Sequence, residues 1–184
     1  MHIELPFDKN AARIFRAGDE VLLTGTILTA RDAAHERLVD LLHNGKKLPL
    51  ELDGAIIYYA GPTAAPPGRV TGSIGPTTSS RMDTYTPELL NLGVAGIIGK
   101  GPRSDAVKEA FLGAGAVYFA AVGGAGAMLA QCVKSSEVVA FPELGAEAIR
   151  RLEVEDFPVT VVLDTTGEDF YITARRDYLL SIGT

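Results

Sequence analysis

Residues 21–42 read VLLTGTILTARDAAHERLVDLL, a β-branched run followed directly by an amphipathic one. The β-branched and apolar side chains of 21–28 predict a strand. Apolar residues then recur at helical spacing, which predicts a helix over 30–43 that ends at Asn44-Gly45. Thr29 is predicted to be the N-cap of this helix. A strand that leads straight into a helix is typical of an α/β protein.

The same alternation continues through the middle of the chain, and strands cluster at its end. This pattern predicts an α/β fold with a mixed sheet in one compact domain covering 1–184. Thr86 is predicted to cap a helix whose first residue is Pro87. Residues 165–167 are predicted to form a hairpin turn. The further predicted strands are 55–60, 70–74, 94–99, 116–120, 136–140, 148–156, 159–164 and 169–173, and the further predicted helices are 86–93, 103–113 and a short one within 123–132.

Composition excludes several classes of function. The 184 residues are 47% hydrophobic and carry a formal net charge of −6, so a nucleic-acid-binding protein is not expected. There is one cysteine, Cys132, so this chain alone can form neither an internal disulfide nor a cysteine-based metal site. We interpret Cys132 as a small apolar residue of the interior. Neither a signal peptide nor an 18-residue apolar run is apparent, and we expect a cytoplasmic protein that does not bind membranes.

Three polar clusters, 29–35, 75–83 and 99–101, each follow a predicted strand. Strand ends and helix starts gather ligands in α/β proteins, and the N-termini of helices favour anions. Each cluster contributes one cation, and two hydroxyls lie between them in the sequence. Three converging cations would suit a small dianion, because arginine forms bidentate bonds to carboxylates. The candidate residues are Arg31, Thr77, Thr78, Arg81 and Lys100.

Each candidate also has a purely structural interpretation. Arg31 could pair with Asp32 at the start of a solvated helix, and Lys100 could be an ordinary lysine in a turn. The two threonines could cap a helix after Pro76. Arg81 could pair with a carboxylate on the surface, for which the candidates are Asp83 and Asp105.

Together these motifs resemble the class I fumarase C-terminal domain over about residues 20–172. Two-subunit fumarases and L(+)-tartrate dehydratases carry this domain as a separate β chain. The pattern 75–83, GPTTSSRMD, is the longest and most specific part of the resemblance. The other matching segments are 24–35, 59–62, 99–101, 141–145 and 154–158.

The resemblance implies a swivelling β/β/α domain and a [4Fe–4S] cluster that is held by a cysteine-bearing α subunit in an α2β2 assembly. It implies that Arg31, Thr78 and Arg81 bind the substrate and that Thr77 and Lys100 are catalytic, with no metal ligand in this chain. Thr77 matches the residue that transfers the proton. A hydroxyl is a poor base, so it must be activated by a neighbouring group. We expect that group to be a carboxylate of the partner subunit.

The expected function is the reversible hydration of fumarate to L-malate, a step of the tricarboxylic acid cycle, by a subunit that is inactive alone. Three alternatives remain open from the residues. They are the β subunit of an L(+)-tartrate dehydratase, a non-catalytic module that binds small anions, and a subunit with a role only in assembly.

Overall fold

The computed structural model of the chain describes residues 1–7 and 10–183. In this part of the chain the strands are β1 (His2–Glu4), β2 (Glu20–Thr29), β3 (Ile56–Tyr58), β4 (Gly96–Gly99), β5 (Val117–Ala120), β6 (Val133–Ala140) and β7 (Ile149–Leu163). The α-helices are α1 (Asp32–His43), α2 (Thr86–Asn91), α3 (Asp105–Ala114), α4 (Gly126–Leu129) and α5 (Phe170–Ser181). Short 3-10 helices cover Ala11–Ile14, Ser79–Met82, Ala130–Cys132 and Pro142–Glu147.

The strands form a mixed sheet that closes on itself. β1 to β5 are parallel neighbours in chain order. β7 runs antiparallel to them and pairs with both β5 and β2, so that β2, β3, β4, β5 and β7 make a closed ring. β6 adds to β7 outside the ring. The predicted α/β class with a mixed sheet is therefore confirmed, while the swivelling β/β/α description and its extent over 1–184 stay predictions.

Each face of the sheet carries its own apolar core. Along β3 and the residue after it, Ile56 and Tyr58 belong to one core while Ile57 and Tyr59 belong to the other. This alternation is the two-residue period of a strand that is buried on both faces. Helices α1, α2 and α3 cover one core, and the N-terminal segment and α4 contribute to the other. In residues 1–7 and 10–183, no helix has both the length and the apolar character that a membrane span requires.

The start of α1 differs from the predicted capping box. Arg31 occupies the N-cap position, and the helix begins at Asp32. Thr29 instead ends β2, where its buried hydroxyl accepts a hydrogen bond of 3.1 Å from the Arg150 amide of β7. The prediction was wrong because a cross-strand partner about 120 residues away takes the hydroxyl that would have capped the helix.

Two predicted strands, 148–156 and 159–164, are one continuous strand. Pro158, which lies between the two predicted ranges, is part of β7 and pairs with Leu22. Between the pairs Leu23–Phe157 and Gly25–Val154, β7 contains one residue more than β2 does. Asp156 lies in this interval and has a φ of 51°. This is the geometry of a β-bulge, which lets the ladder continue past a local irregularity.

The predicted strand 169–173 is the start of helix α5. The turn over 165–167 is present, but it leads to only one bridge, between Leu163 and Asp169. Asp169 then caps α5 by accepting a hydrogen bond from the Tyr171 amide at 3.0 Å. The aromatic and β-branched residues after Asp169 favoured a strand, and the cap outweighed them.

Two further predictions need correction. Residues 70–74 form no strand, because the loop pairs with itself through the Thr63 amide and the Ser73 carbonyl, and the Ile74 amide bonds to Gly126. Tyr85 rather than Thr86 is the N-cap of α2. The Thr86 hydroxyl donates instead to the Met82 carbonyl at 2.8 Å.

Candidate functional site

The carboxyl ends of four parallel strands define one edge of the sheet. Arg31 lies two residues after the end of β2 and is the N-cap of α1, and Lys100 directly follows β4. Gly61 follows β3, and Gly123 follows β5. A Cβ at Gly61 would lie 2.6 Å from the Ala146 carbonyl oxygen and 3.2 Å from the Arg31 Cδ, so only glycine fits there. This is the edge at which open α/β sheets bind ligands.

The segment 77–79 crosses the ends of β3 and β4. The Thr77 amide donates to the Tyr59 carbonyl at 2.7 Å. Thr78 forms a parallel bridge with Lys100, and the Ser79 amide donates to the Lys100 carbonyl at 3.0 Å. These backbone bonds anchor both threonines at the strand edge, and they explain why the second polar cluster lies beside the third.

Arg31 and Arg81 share one carboxylate. Asp32 places Oδ2 3.2 Å from the Arg31 Nε and Oδ1 2.8 Å from the Arg81 Nε. The Arg31–Asp32 pair was one of the structural alternatives, and it is present. The proposed pairing of Arg81 with Asp83 or Asp105 was wrong, because the chain brings Arg81 back to the start of α1 instead.

Asp32 is held in its ionised form by this arrangement. Partial burial alone would raise the pKa of its carboxyl. Its own backbone amide, the hydrogen bond from Arg31 and the charges of Arg81 and Arg31 outweigh that effect and lower the pKa. The carboxylate therefore stays negative between two guanidinium groups.

Glu147 is a second acidic residue at this end of α1. Its Oε2 accepts a hydrogen bond of 2.9 Å from the Ala33 amide, and its Oε1 lies 3.4 Å from the Arg31 Nε. Glu147 thus caps α1 from the 3-10 helix Pro142–Glu147, which is the role that the sequence assigned to Thr29. No local pattern could have revealed it, since 114 residues separate the two partners.

The two threonines differ in their contacts. The Thr77 hydroxyl oxygen accepts a long hydrogen bond of 3.5 Å from the Arg81 Nη1. Thr78 is exposed and occupies the N-cap position of the 3-10 helix Ser79–Met82, but its side chain makes no capping hydrogen bond. The capping alternative is therefore wrong for Thr78, whose hydroxyl remains accessible at the edge of the sheet.

Lys100 is held by its backbone rather than by a charge partner. Its amide donates to the Ser79 hydroxyl at 3.0 Å, and the Ser79 and Tyr118 hydroxyl oxygens lie 3.0 Å apart. A Cβ at Gly123 would lie 3.5 Å from its Nζ, so the ammonium group lies along the turn after β5. Within residues 1–7 and 10–183, no carboxylate forms an ion pair with Lys100. The sequence interpretation missed Ser79 as the residue that fixes this loop.

A further arginine, Arg103, is buried. Arg103 is 6% exposed, and its Nε contacts the Asp83 carboxylate at 2.7 Å. Its Nη2 donates to the Thr86 hydroxyl at 2.6 Å. Three aromatic rings, those of Tyr59, Phe111 and Tyr118, lie within 5.2–5.7 Å of its guanidinium carbon. Arg103 joins the start of α3 to the segment that carries Arg81.

His35 forms a hydrogen bond with the backbone of Arg31. Its ring is fully buried, and Nδ1 donates to the Arg31 carbonyl at 3.0 Å. Burial away from water is the main cause that lowers the pKa of His35 to about 4. The imidazole is therefore neutral at physiological pH, and it packs edge-on against the Tyr59 ring at 5.0 Å.

The donor atoms of this chain do not fit an iron–sulfur cluster. Such clusters are held by several cysteine thiolates, and this chain has one cysteine. Burial raises the pKa of the Cys132 thiol, and its Sγ donates to the Asp156 carbonyl at 3.6 Å. Among the residues that the structure describes, no group of three or more histidine, cysteine, aspartate or glutamate side chains could hold a metal ion.

Known proteins that resemble this chain include several fumarate hydratases. The anaerobic class I fumarate hydratase of Escherichia coli is 47% identical over 151 residues, which are 81% of this chain and 28% of that protein. Fumarate hydratase 2 of Leishmania major is 40% identical over 173 residues, 92% of this chain and 30% of that protein. This chain thus spans less than a third of the length of either.

One relative is matched over most of its own length. A protein named putative L(+)-tartrate dehydratase subunit beta, from Methanocaldococcus jannaschii, is 41% identical over 169 residues. These make up 89% of this chain and 87% of that protein. The sequence model of the fumarase C-terminus matches residues 2–174, almost the whole chain. The chain belongs to the fumarase C-terminus family, whose relatives here are named as hydro-lyases.

Proposed function

We propose that this chain is the β subunit of a hydro-lyase that reversibly hydrates fumarate to L-malate together with an α subunit. The observation that carries the proposal is the strand edge with two arginines around one carboxylate, a threonine beside one of them, and a lysine that has no carboxylate partner among the described residues. The names of the relatives support the same reaction class.

The proposed substrate is a small dicarboxylate. Arg31 and Arg81 each present a planar guanidinium group, which matches the geometry of a carboxylate better than an ammonium group does. Both contacts to Asp32 use the Nε atoms, which leaves terminal nitrogens for substrate oxygens. The exposed Thr78 hydroxyl is proposed to donate a further hydrogen bond to the substrate.

Lys100 and Thr77 are the proposed catalytic residues. Removing a proton from malate builds negative charge on the adjoining carboxylate, and a positioned cation stabilises that charge. Lys100 suits this role because it has no carboxylate partner of its own in the part of the chain described. Thr77 is proposed to transfer the proton, with a carboxylate of the partner subunit to activate it. The Arg81 Nη1 donates to the Thr77 oxygen and would stabilise the hydroxyl as it loses its proton.

A partner subunit is part of this proposal. The two fumarate hydratases named above are more than three times as long as the segment matched to this chain, whereas the tartrate dehydratase subunit beta is similar in length to it. A separate α chain that supplies the cysteines for a [4Fe–4S] cluster would complete the site, and an α2β2 assembly is proposed. The site loops sit on one edge of a closed ring, so a swivelling movement of the ring would carry them together.

A second candidate is the β subunit of an L(+)-tartrate dehydratase. The observation that favours it is the 41% identity with the Methanocaldococcus jannaschii protein over 87% of that protein. Tartrate differs from malate by one additional hydroxyl, and both carry two carboxylates. The same cations would bind either substrate, so the difference would arise at the hydroxyl-binding positions.

The test is co-expression with the α subunit, anaerobic purification and assays on fumarate, L-malate and L(+)-tartrate. We expect the complex to turn over fumarate and malate, and we expect this chain alone to be inactive. Turnover of tartrate alone would favour the second candidate. A cluster-loaded complex that binds dicarboxylates but turns over none would show that the chain is an anion-binding module.

A further inference from the structure

Asp32 touches both arginines of the proposed substrate site while having no assigned role of its own. Its side chain is 29% exposed, so it is held in place without being sealed from solvent. One oxygen lies 2.8 Å from the Arg81 Nε and the other 3.2 Å from the Arg31 Nε. The two guanidinium groups repel each other, and a carboxylate between them offsets that repulsion.

The contact with Asp32 determines where the rest of Arg81 points. The Arg81 side chain is 51% exposed, and a long, half-exposed arginine would otherwise sample many rotamers. With Nε held by Asp32, Nη1 comes within 3.5 Å of the Thr77 oxygen, to which it donates. Asp32, Arg81 and Thr77 therefore form one chain of contacts that ends at the proposed proton-transfer group.

A simpler role for Asp32 would be to stabilise the N-terminus of α1. An acidic residue in the first turn interacts favourably with the helix dipole. However, Glu147 already accepts a hydrogen bond from the Ala33 amide at this terminus. The helix dipole also gives no reason for Asp32 to bind Arg81, which belongs to a different segment of the chain.

We propose that Asp32 is a positioning residue that fixes the Arg81 guanidinium against the Thr77 hydroxyl and so supports proton transfer. This inference rests on the proposed function. It names the group within this chain that prepares Thr77, in addition to any carboxylate from the partner. Asp32 itself does not contact the substrate, and its effect passes through Arg81.

The test compares Asp32→Asn with the wild type in the complex with the α subunit. Asparagine has nearly the same shape but cannot offer a charged oxygen to both arginines. We expect kcat to fall by about tenfold or more because the orientation of Arg81 is lost. KM should change less than kcat, because weaker binding by a misoriented Arg81 is offset by the removal of a negative charge near the dianion. A residue that only stabilised the helix would lower the yield of complex and leave kcat unchanged.

The double variant Asp32→Asn/Arg81→Ala gives the sharpest test. If Asp32 acts through Arg81, the double variant should be no slower than Arg81→Ala alone. Glu143→Gln is the matched control, since Glu143 contacts Arg37 of α1 at 3.3 Å. We expect it to keep wild-type kcat and KM. Wild-type kcat in Asp32→Asn, or losses that multiply in the double variant, would overturn the inference.

A second measurement keeps the inference separate from the proposed function. Phenylglyoxal modifies arginine side chains, and those held by a carboxylate react more slowly. Mass spectrometry of the purified chain should show faster modification of Arg81 in Asp32→Asn, and an unchanged rate in Glu143→Gln. Equal rates in the wild type and Asp32→Asn would refute the positioning role even if the complex turned over no dicarboxylate. In that event the assays above would have refuted the proposed function independently.

Discussion

Arg81 and Arg103 both lie near residues 77–86, but one side chain is exposed and the other is buried. The Arg81 side chain is 51% exposed and contacts one carboxylate and one hydroxyl. The Arg103 side chain is 1% exposed and contacts a carboxylate, a hydroxyl and three aromatic rings. Both belong to the neighbourhood of residues 77–86, yet only Arg81 faces solvent at the strand edge.

The comparison shows what separates a structural cation from one that can receive a ligand. Arg103 is surrounded by internal partners, so any anion that approached it would have to displace them. Arg81 is held at Nε alone by its carboxylate and keeps access to water. Charge alone therefore does not distinguish the two arginines, whereas their exposure and their number of internal partners do.

The largest effect should come from removing the internal arginine. Arg103→Ala leaves the Asp83 carboxylate, which is 17% exposed, without its ion-pair partner. The unfolding free energy should fall by about 3–5 kcal/mol, the usual cost of breaking a buried pair. Urea unfolding of the chain measures this loss.

Arg37→Ala is the control for Arg103, because Arg37 also lies over an aromatic ring and pairs with a carboxylate but is 48% exposed. Its loss should cost less than about 1 kcal/mol. Equal losses in the two variants would show that burial does not distinguish the arginines as we argue.

Removing the exposed cations should leave the fold intact and impair turnover. Arg81→Ala and Lys100→Ala are each expected to lower kcat/KM by about 10²–10³-fold, as when a group that stabilises developing charge is removed. Steady-state kinetics of the reconstituted complex, with melting temperatures of the same samples, measure both properties. Lys47→Ala, at an exposed position, should match the wild type. Full activity in both site variants would show that the site is elsewhere.

The buried histidine beneath Arg31 should make stability depend on pH. Burial lowers the pKa of His35 from 6.5 to about 4, so the unfolded chain binds more protons than the folded chain between these values. Stability is therefore fully present above pH 6.5 and decreases as the pH falls toward 4. From pH 7 to pH 5 the loss should be about 2 kcal/mol.

Urea unfolding at the two pH values measures the contribution of His35. The variant His35→Gln should lose much less stability between pH 7 and pH 5 than the wild type does. A wild-type slope that persists in His35→Gln would assign the pH dependence to other groups.

The smallest effect on stability and turnover is expected at Ser79, which contacts both Lys100 and Tyr118. Its hydroxyl accepts a hydrogen bond from the Lys100 amide and contacts the hydroxyl of Tyr118, whose ring lies against Arg103. Ser79→Ala should cost about 1 kcal/mol of stability, as for one lost hydrogen bond. Turnover should fall by only a few fold because the Lys100 loop is loosened but its charge remains. A loss as large as that of Lys100→Ala would mean that Ser79 takes part in the chemistry.

Local patterns in the sequence predicted most elements and the position of two of the three polar clusters. The apolar runs at 21–28, 94–99 and 116–120 are strands, and the clusters 29–35 and 99–101 follow two of them. The cluster 75–83 does not directly follow a strand, because the predicted strand 70–74 is absent. A strand end is recognisable from neighbours a few residues away, which explains why Arg31 and Lys100 could be singled out. Their roles in binding and catalysis stay predictions.

Contacts between distant parts of the chain could not be predicted in this way. Glu147 reaches the start of α1 across 114 residues, and Thr29 pairs with Arg150 across 121. The partners of Arg81 were also misjudged, since the nearby Asp83 is taken by Arg103. In each case a tertiary partner outweighed the local preference, and a single sequence contains no signal of which partner it would be.

The closed ring has a consequence for how the chain folds. β2 cannot pair with its antiparallel neighbour until β7 has been synthesised, because this ladder joins residues 20–29 to residues 150–160. Such distant pairings slow folding, since a long loop must close before any contact stabilises it. During synthesis, one edge of β2 therefore stays unpaired until residues 149–163 have emerged.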